Sequence, residues 1–355
     1  VKSPENERNN KRFNEERNYL KNKTNMFNIT SPETKFLLKA VREASSLAQM
    51  VQAEMVSGEL TKYDRSPVTI ADFASQALVG WMLSESFPDD LMVAEEDSST
   101  LQTAEGKSML ERITAFVARR IEGVDSEQVC SWIDYNRADT GERFWTLDPI
   151  DGTKGFLRGD QYVVALALLV DGQVQISALG CPNIENASTP RVGGDGSLLL
   201  GVKGAGAWSM SMKNKSGIAR LHVSDVSDPT QARILRSFES GHTNVNKIDQ
   251  FAEALAVGVE PVRMDSQAKY SLLAAGEGEL YLRLLSPSRL DYREKIWDQA
   301  AGSLILEEAG GRITDLDGNP LDFTKGRQLE ANRGVLGSNG HLHEAALDAL
   351  RQVGA

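Results

Sequence analysis

From residue 31 the apolar positions recur at helical spacing. Phe36, Leu37, Ala40, Val41, Ala44, Leu47, Ala48, Val51 and Met55 fall on one side of a helix that Ser31-Pro32 opens and Gly58 can close. A second amphipathic helix is expected from about Thr69 to Phe87, with Ile70, Phe73, Ala77, Leu78 and Trp81 on its buried side and Asp72 near its first turn. The period then shortens. Leu91 to Ala94 reads as a buried strand ending in Glu95, Glu96 and Asp97. After a helix near 108 to 122, Phe144 to Leu147 reads as another strand ending in acids. Tyr162 to Val170, the turn Asp171-Gly172, and Gln173 to Leu179 spell a hairpin. Strands near 197 to 202 and 205 to 210 follow, with Gly204-Ala205-Gly206 as their turn. This half is expected to place helices on an antiparallel sheet.

Beyond about 220 the pattern changes to shorter strands (Ile234 to Phe238, Pro261 to Met264, Leu280 to Leu284, Val335 to Ser338) alternating with helices near 243 to 256, 268 to 275, 297 to 309 and 341 to 353. That alternation predicts an α/β unit. At 355 residues the chain exceeds the usual size of one hydrophobic core, so two joined units are expected, 31–219 and 220–355. Residues 1–30 are rich in Asn, Lys, Arg and Glu with few apolar positions, and read as a disordered leader.

Composition narrows the function. Hydrophobic residues make up 41% and charged residues 25%, as in ordinary globular proteins. A net charge of -11 argues against general binding to nucleic acid or anionic membrane. The longest apolar run, Val163 to Val170, is far short of the ~20 residues that a membrane helix needs. Two cysteines, Cys130 and Cys181, are too few for a disulfide framework or a cysteine zinc site, and are expected as reduced thiols. The expected compartment is the cytoplasm, with an organelle stroma or matrix as the alternative.

The candidate chemistry centres on Asp148-Pro149-Ile150-Asp151-Gly152-Thr153. Two aspartates flank the Ile150 carbonyl, and Asp151-Gly152-Thr153 can open a short helix whose free N–H groups face an anion. By itself this is equally a turn with two solvated acids. Glu95, Glu96 and Asp298 also lie at element ends, however, and gathered carboxylates of this kind call for bound cations. Competing chemistries lack their motifs: the four histidines form no H-E-x-x-H, and the chain has no G-x-S-x-G or G-x-x-x-x-G-K-[ST].

Asp148 to Thr153, Glu95-Glu96 after a short strand, and Trp297-Asp298 before Ala300-Ala301-Gly302 with Glu308-Ala309-Gly310-Gly311 together resemble the signature of the lithium-sensitive inositol monophosphatase superfamily. Ser66-Pro67-Val68-Thr69, Lys154 to Tyr162, Asp265 to Tyr270 and Arg293 to Asp298 are similar to its 3′(2′),5′-bisphosphate nucleotidases. The resemblance implies an α/β (α+β) fold, a layered αβαβα sandwich, with the active site where the two units meet. It implies a monomer that takes a small nucleotide, hydrolyses adenosine 3′,5′-bisphosphate with Mg²⁺ (two or three ions per site), and is inhibited by lithium. Glu95, Asp148, Asp151, Asp298 and the Ile150 carbonyl are its implied metal ligands. Asp72 and Thr153 are the implied catalytic pair that orients and deprotonates the attacking water, and the N–H groups of Gly152 and Thr153 are the implied phosphate cradle. His242, Ser266, Lys269 and Arg283 are the implied substrate contacts. Other readings stay open: Lys269 as a solvated side chain, Arg283 paired with Asp291, and His242 as a cap or packed residue. An inositol phosphate or sugar bisphosphate phosphatase is the alternative enzyme, and a silent nucleotide-binding module the alternative of another class.

Overall fold

The first helix begins where Ser31 accepts from the Thr34 N–H, and α1 (Pro32–Met55) packs beside α2 (Ser66–Ser86). The computed structural model describes residues 27–55, 66–214, 217–238, 245–286 and 289–355, so Gly58 lies outside the described residues. Helix α2 starts three residues before its expected position, which moves Asp72 into its second turn. Strand β1 (Leu91–Ala94) appears where it was expected. The helix expected near 108 to 122 is α3 (Lys107–Val117), and beyond it lies an unanticipated α4 (Ser126–Ile133), which a reciprocal capping box of Asp125 and Gln128 opens.

Strand β2 (Arg143–Asp151) is longer than its apolar run. The expected acid turn is instead the bulged end of this strand: Asp148 stands opposite Ala165, Asp151 opposite Val163, and the register shifts between them. Pro149, with no N–H to give to a ladder, occupies that irregular stretch. The short helix α5 (Thr153–Arg158) follows. Then come β3 (Val163–Val170), β4 (Gln173–Cys181), the small pair β5 (Ile184–Glu185) and β6 (Thr189–Pro190), β7 (Ser197–Val202), β8 (Gly206–Ser211) and β9 (Ala219–Arg220). Asp171 and Gly172, at φ of 51° and 71°, make the two-residue turn between β3 and β4.

The remaining elements are β10 (Ile234–Arg236), α6 (Val245–Ala254), β11 (Val262–Arg263), α7 (Ala268–Ala274), β12 (Leu280–Arg283), α8 (Ala300–Glu308), β13 (Arg312–Thr314), β14 (Val335–Ser338) and α9 (His343–Val353). Strand β13 was not foreseen. One sheet runs β1-β2-β3-β4-β7-β8-β9, and a second runs β11-β10-β12-β14-β13.

Alternate residues of the strands divide among three cores. Val164, Leu166 and Leu168 face α1 and α2, while Val163, Ala165 and Ala167 face α7 and α8. Leu235, Tyr281 and Val335 close that middle core from the second sheet, whose other face packs Ile234, Leu282 and Leu336 against α6 and α9. The layers are therefore helix, sheet, helix, sheet, helix. The unbroken apolar run of β3 follows from a sheet covered on both faces. Cys130 and Cys181 are buried free thiols. Among the described residues no helix is long and apolar enough to cross a membrane.

Candidate active site

The parallel pairing of β1 with β2 sets Ala94 opposite Leu147, so Glu95 and Asp148 come next at the same end of both strands. Asp72 arrives from α2, and one turn later Gln76 clamps the peptide of Glu96: its Nε2 donates to the Glu96 carbonyl at 2.8 Å and its Oε1 accepts from the Glu96 N–H at 3.1 Å. Asp298 arrives from the turn before α8, where its N–H bonds the Lys295 carbonyl at 3.2 Å. The expected helical start at 297 is this turn, and the helix proper begins at Ala300.

These acids act on one another. Burial first, then the charges of Glu95 and Glu96, hold Asp72 well above the usual aspartate range. Burial and the charges of Glu95, Asp151, Asp298 and Asp72 do the same to Asp148, and burial with Asp151, Glu294 and Glu95 does it to Asp298. Glu95 faces the open cleft, yet burial of its carboxyl and the charges of Glu96 and Asp151 raise it to about 7, against the hydrogen bond with Asp148 and the charge of Lys295. Burial also raises Asp151, whose Oδ2 accepts from the Gln267 N–H at 2.6 Å and which Lys269 and Arg283 counter.

Among the described residues no group of three or more His, Cys, Asp or Glu side chains is closed into a preformed metal cage. The donor set nevertheless fits hard cations. Asp72 Oδ1 and Asp148 Oδ1 are buried without a hydrogen-bond partner, and the other donors are carboxylate and carbonyl oxygens, which Mg²⁺ prefers. Ile150 is buried at the strand end between Asp148 and Asp151.

Gly152 sits at φ +95° as the N-cap of α5, and a Cβ there would stand 2.8 Å from Ser266 Cβ. Thr153 is exposed at the first position of α5. Ser266, at φ 60°, donates to the Asp265 carbonyl and accepts from the Ala268 N–H at 3.2 Å. Asp265 in turn pairs with Arg158 of α5. Lys269 is buried, not solvated: its Nζ donates to Ser237 Oγ at 3.1 Å and to the Met264 carbonyl at 3.3 Å. Burial and the neighbouring Arg283 lower it to about 8. Arg283 pairs with Glu294 at 3.1 Å, where Asp291 had been the candidate partner. Glu294 lies behind it, buried, and also accepts from Gln299 Nε2 at 2.9 Å. His242 lies outside the described residues.

Sequence reasoning named neither Gln76 nor Gln267 as a site residue. Gln267 binds Asp151 through its backbone N–H, while its side chain donates Nε2 to the Trp297 carbonyl at 3.0 Å and accepts from the Gly302 N–H at 3.2 Å, so one residue holds both acid-bearing segments together. A glutamine inside a helix, as Gln76, or at its start, as Gln267, carries no periodic signal of such a role.

The sequence model of the inositol monophosphatase family matches residues 31–355. A 3′(2′),5′-bisphosphate nucleotidase of Schizosaccharomyces pombe is 39% identical over 340 residues, covering 90% of this chain and 95% of that one. One from Oryza sativa is 42% identical over 334 residues, covering 89% and 92%. Among solved structures, an inositol monophosphatase from Anabaena shares the fold with a TM-score of 0.59 at 23% identity, over 91% of this chain and 97% of the other. CysQ from Bacteroides thetaiotaomicron does so with a TM-score of 0.57 at 18% identity, over 88% and 99%.

Proposed function

Because this chain belongs to the inositol monophosphatase family, we propose that it is a magnesium-dependent phosphomonoesterase that hydrolyses the 3′-phosphate of adenosine 3′,5′-bisphosphate to AMP and phosphate. The observation that carries the reading is the mutual repulsion of Asp72, Glu95, Asp148, Asp151 and Asp298 in one cleft, in a chain about two-fifths identical to bisphosphate nucleotidases.

Glu95, Asp148, Asp151, Asp298 and the Ile150 carbonyl would hold two or three Mg²⁺ ions. When bound, magnesium neutralises these carboxylates, draws charge from the phosphoryl oxygens and acidifies water. Asp72 accepts the proton of the attacking water through its unpartnered Oδ1, and the Thr153 hydroxyl orients that water. The N–H groups of Gly152 and Thr153 meet the phosphoryl oxygens, an approach that the missing side chain of Gly152 permits. The water oxygen bonds to phosphorus, the bond to the ribose 3′-oxygen breaks, and that oxygen takes a proton from a solvent water as it leaves. Lys269 and Arg283 supply positive charge for the second phosphate, with Ser266 and His242 beside the nucleoside.

Phosphate release across adenosine 3′,5′-bisphosphate, adenosine 2′,5′-bisphosphate, 3′-AMP and inositol 1-phosphate tests the assignment. Preference for the bisphosphates with Mg²⁺ is expected. Rapid release from inositol 1-phosphate with none from the bisphosphates would refute it.

A further inference from the structure

Glu95 and Asp298 reach the cleft from distant parts of the chain, one from the end of β1 in the first sheet and the other from the turn before α8. A short segment near the C-terminal end touches both approaches. The Arg327 carbonyl accepts from the Ile296 N–H at 3.2 Å, the Leu329 N–H donates to the Glu294 carbonyl at 2.9 Å, and Lys295 bridges Gln328. Residues 327–329 thus lie antiparallel to 294–296, which lead directly into Trp297 and Asp298.

The Arg327 side chain crosses from there to the other sheet. Its guanidinium carbon stands 4.7 Å from the centre of the Trp297 ring, and its Nη2 donates to the carbonyl of Ala94. Trp297 precedes Asp298, and Ala94 precedes Glu95. The Nη1 group is buried without a hydrogen-bond partner, so this nitrogen has given up water for its place, and partial burial of the side chain lowers its pKa. A planar guanidinium can lie against an indole and donate in its own plane at once, which an ammonium cannot.

We propose that Arg327 is a positioning residue that fixes Glu95 relative to Asp298, by stacking on the residue before one acid and holding the carbonyl before the other. The proposal rests on the reading of these two acids as magnesium ligands. It gives Arg327 no contact with substrate.

The test compares wild type with Arg327→Ala, Arg327→Lys, Arg333→Ala and Glu95→Gln. Arg333 bonds Asp317 at 2.9 Å and the Ala355 carbonyl at 3.1 Å, and serves as a structural control. In Arg327→Ala, kcat is expected to fall about 10- to 100-fold, the range for outer-shell supports of metal ligands, with little change in the KM for nucleotide. Without substrate, the Mg²⁺ concentration that gives a set rise in Tm is expected to increase about tenfold or more. Arg327→Lys, which keeps a donor but loses the flat face, is expected between the two. Arg333→Ala lowers Tm at every Mg²⁺ concentration without moving the magnesium dependence.

A wild-type magnesium dependence in Arg327→Ala, or in Arg327→Lys should the alanine variant not fold, overturns the proposal. If Glu95→Gln is inactive while the Arg327 variants keep wild-type kcat and magnesium dependence, only the proposal fails. If Glu95→Gln keeps wild-type turnover and magnesium dependence, the ligand reading itself falls, and the proposal with it.

Discussion

Asp148 is the most crowded of the acids, buried and raised by four neighbouring carboxylates, and its Oδ1 has no partner of its own. Asp148→Asn therefore has two expected effects of opposite sign. With Mg²⁺ and bisphosphate, turnover falls at least about 100-fold, more than outer-shell changes usually cost. In metal-free protein the same change relieves repulsion, so Tm rises, on the order of 2 °C for each kcal/mol relieved; a fall in metal-free Tm would contradict the electrostatic account. His343 offers a test away from the site. Ser338 Oγ lies 2.8 Å from its Nδ1 and accepts from the Gly340 N–H, while Thr314 Oγ1 lies 3.0 Å from its Nε2 and donates to the Asp315 carbonyl. The Thr314 hydroxyl hydrogen is thereby committed to Asp315, so its oxygen accepts from Nε2–H, and the neutral ring takes the Ser338 hydroxyl hydrogen at Nδ1. Burial first, then the charge of Arg312, lowers its pKa to about 4 from an ordinary 6.5. The unfolded chain takes the proton first, so this stability is complete above pH 6.5 and is lost as pH falls to 4. Between pH 7.5 and 4, the urea-unfolding gap between wild type and His343→Gln should close by about 3 kcal/mol.

Among the elements, the passage from β2 into α5 carries the most chemistry in the fewest residues. Gly152 is required there twice, by its φ of +95° and by the 2.8 Å approach of Ser266 Cβ. Gly152→Ala should destabilise the fold by about 1–2 kcal/mol while removing nearly all turnover at temperatures where circular dichroism still reports folded protein. Activity that falls only in step with folded fraction would show that the cradle is not used. The strands and most helices were legible because their burial leaves a period: β1 and β14 coincide with their expected bounds, and the β3–β4 turn is set by Asp171-Gly172. The bulged end of β2 was not legible, since Asp148 and Asp151 break the apolar pattern that marks a strand, and only pairing with Ala165 and Val163 keeps them in it. Helix α4 escaped notice for a similar reason. Its buried apolar positions, Val129, Cys130 and Ile133, span barely more than one turn, too short to declare a period.

At the scale of the molecule, the cleft sets five acids against Lys269 of α7 and Arg283 of β12, so charge is divided across the site although the chain is acidic overall. Lys269→Met should therefore raise KM for adenosine 3′,5′-bisphosphate by about tenfold or more, the loss expected for one charged hydrogen bond, with a smaller effect on 3′-AMP; equal effects on both would remove Lys269 from second-phosphate recognition. Lithium should inhibit in the millimolar range by competing at one magnesium position, read as a fall in phosphate release that added Mg²⁺ modifies, and complete insensitivity would count against the magnesium centre. The acids at strand ends, the glycine before Thr153 and the order of these motifs are local properties, legible in the chain without its fold, and with them the reaction class. Which strands run parallel, and therefore that Glu95 and Asp148 emerge together, is a long-range pairing that only the folded chain decides. The same holds for Glu294 as the partner of Arg283, for the burial of Lys269, and for Gln76, Gln267 and Arg327, whose work is done through backbone groups far away in sequence. Periodicity records which face of an element is buried. It carries no record of the element that buries it, and the supports of this site are contacts of that second kind.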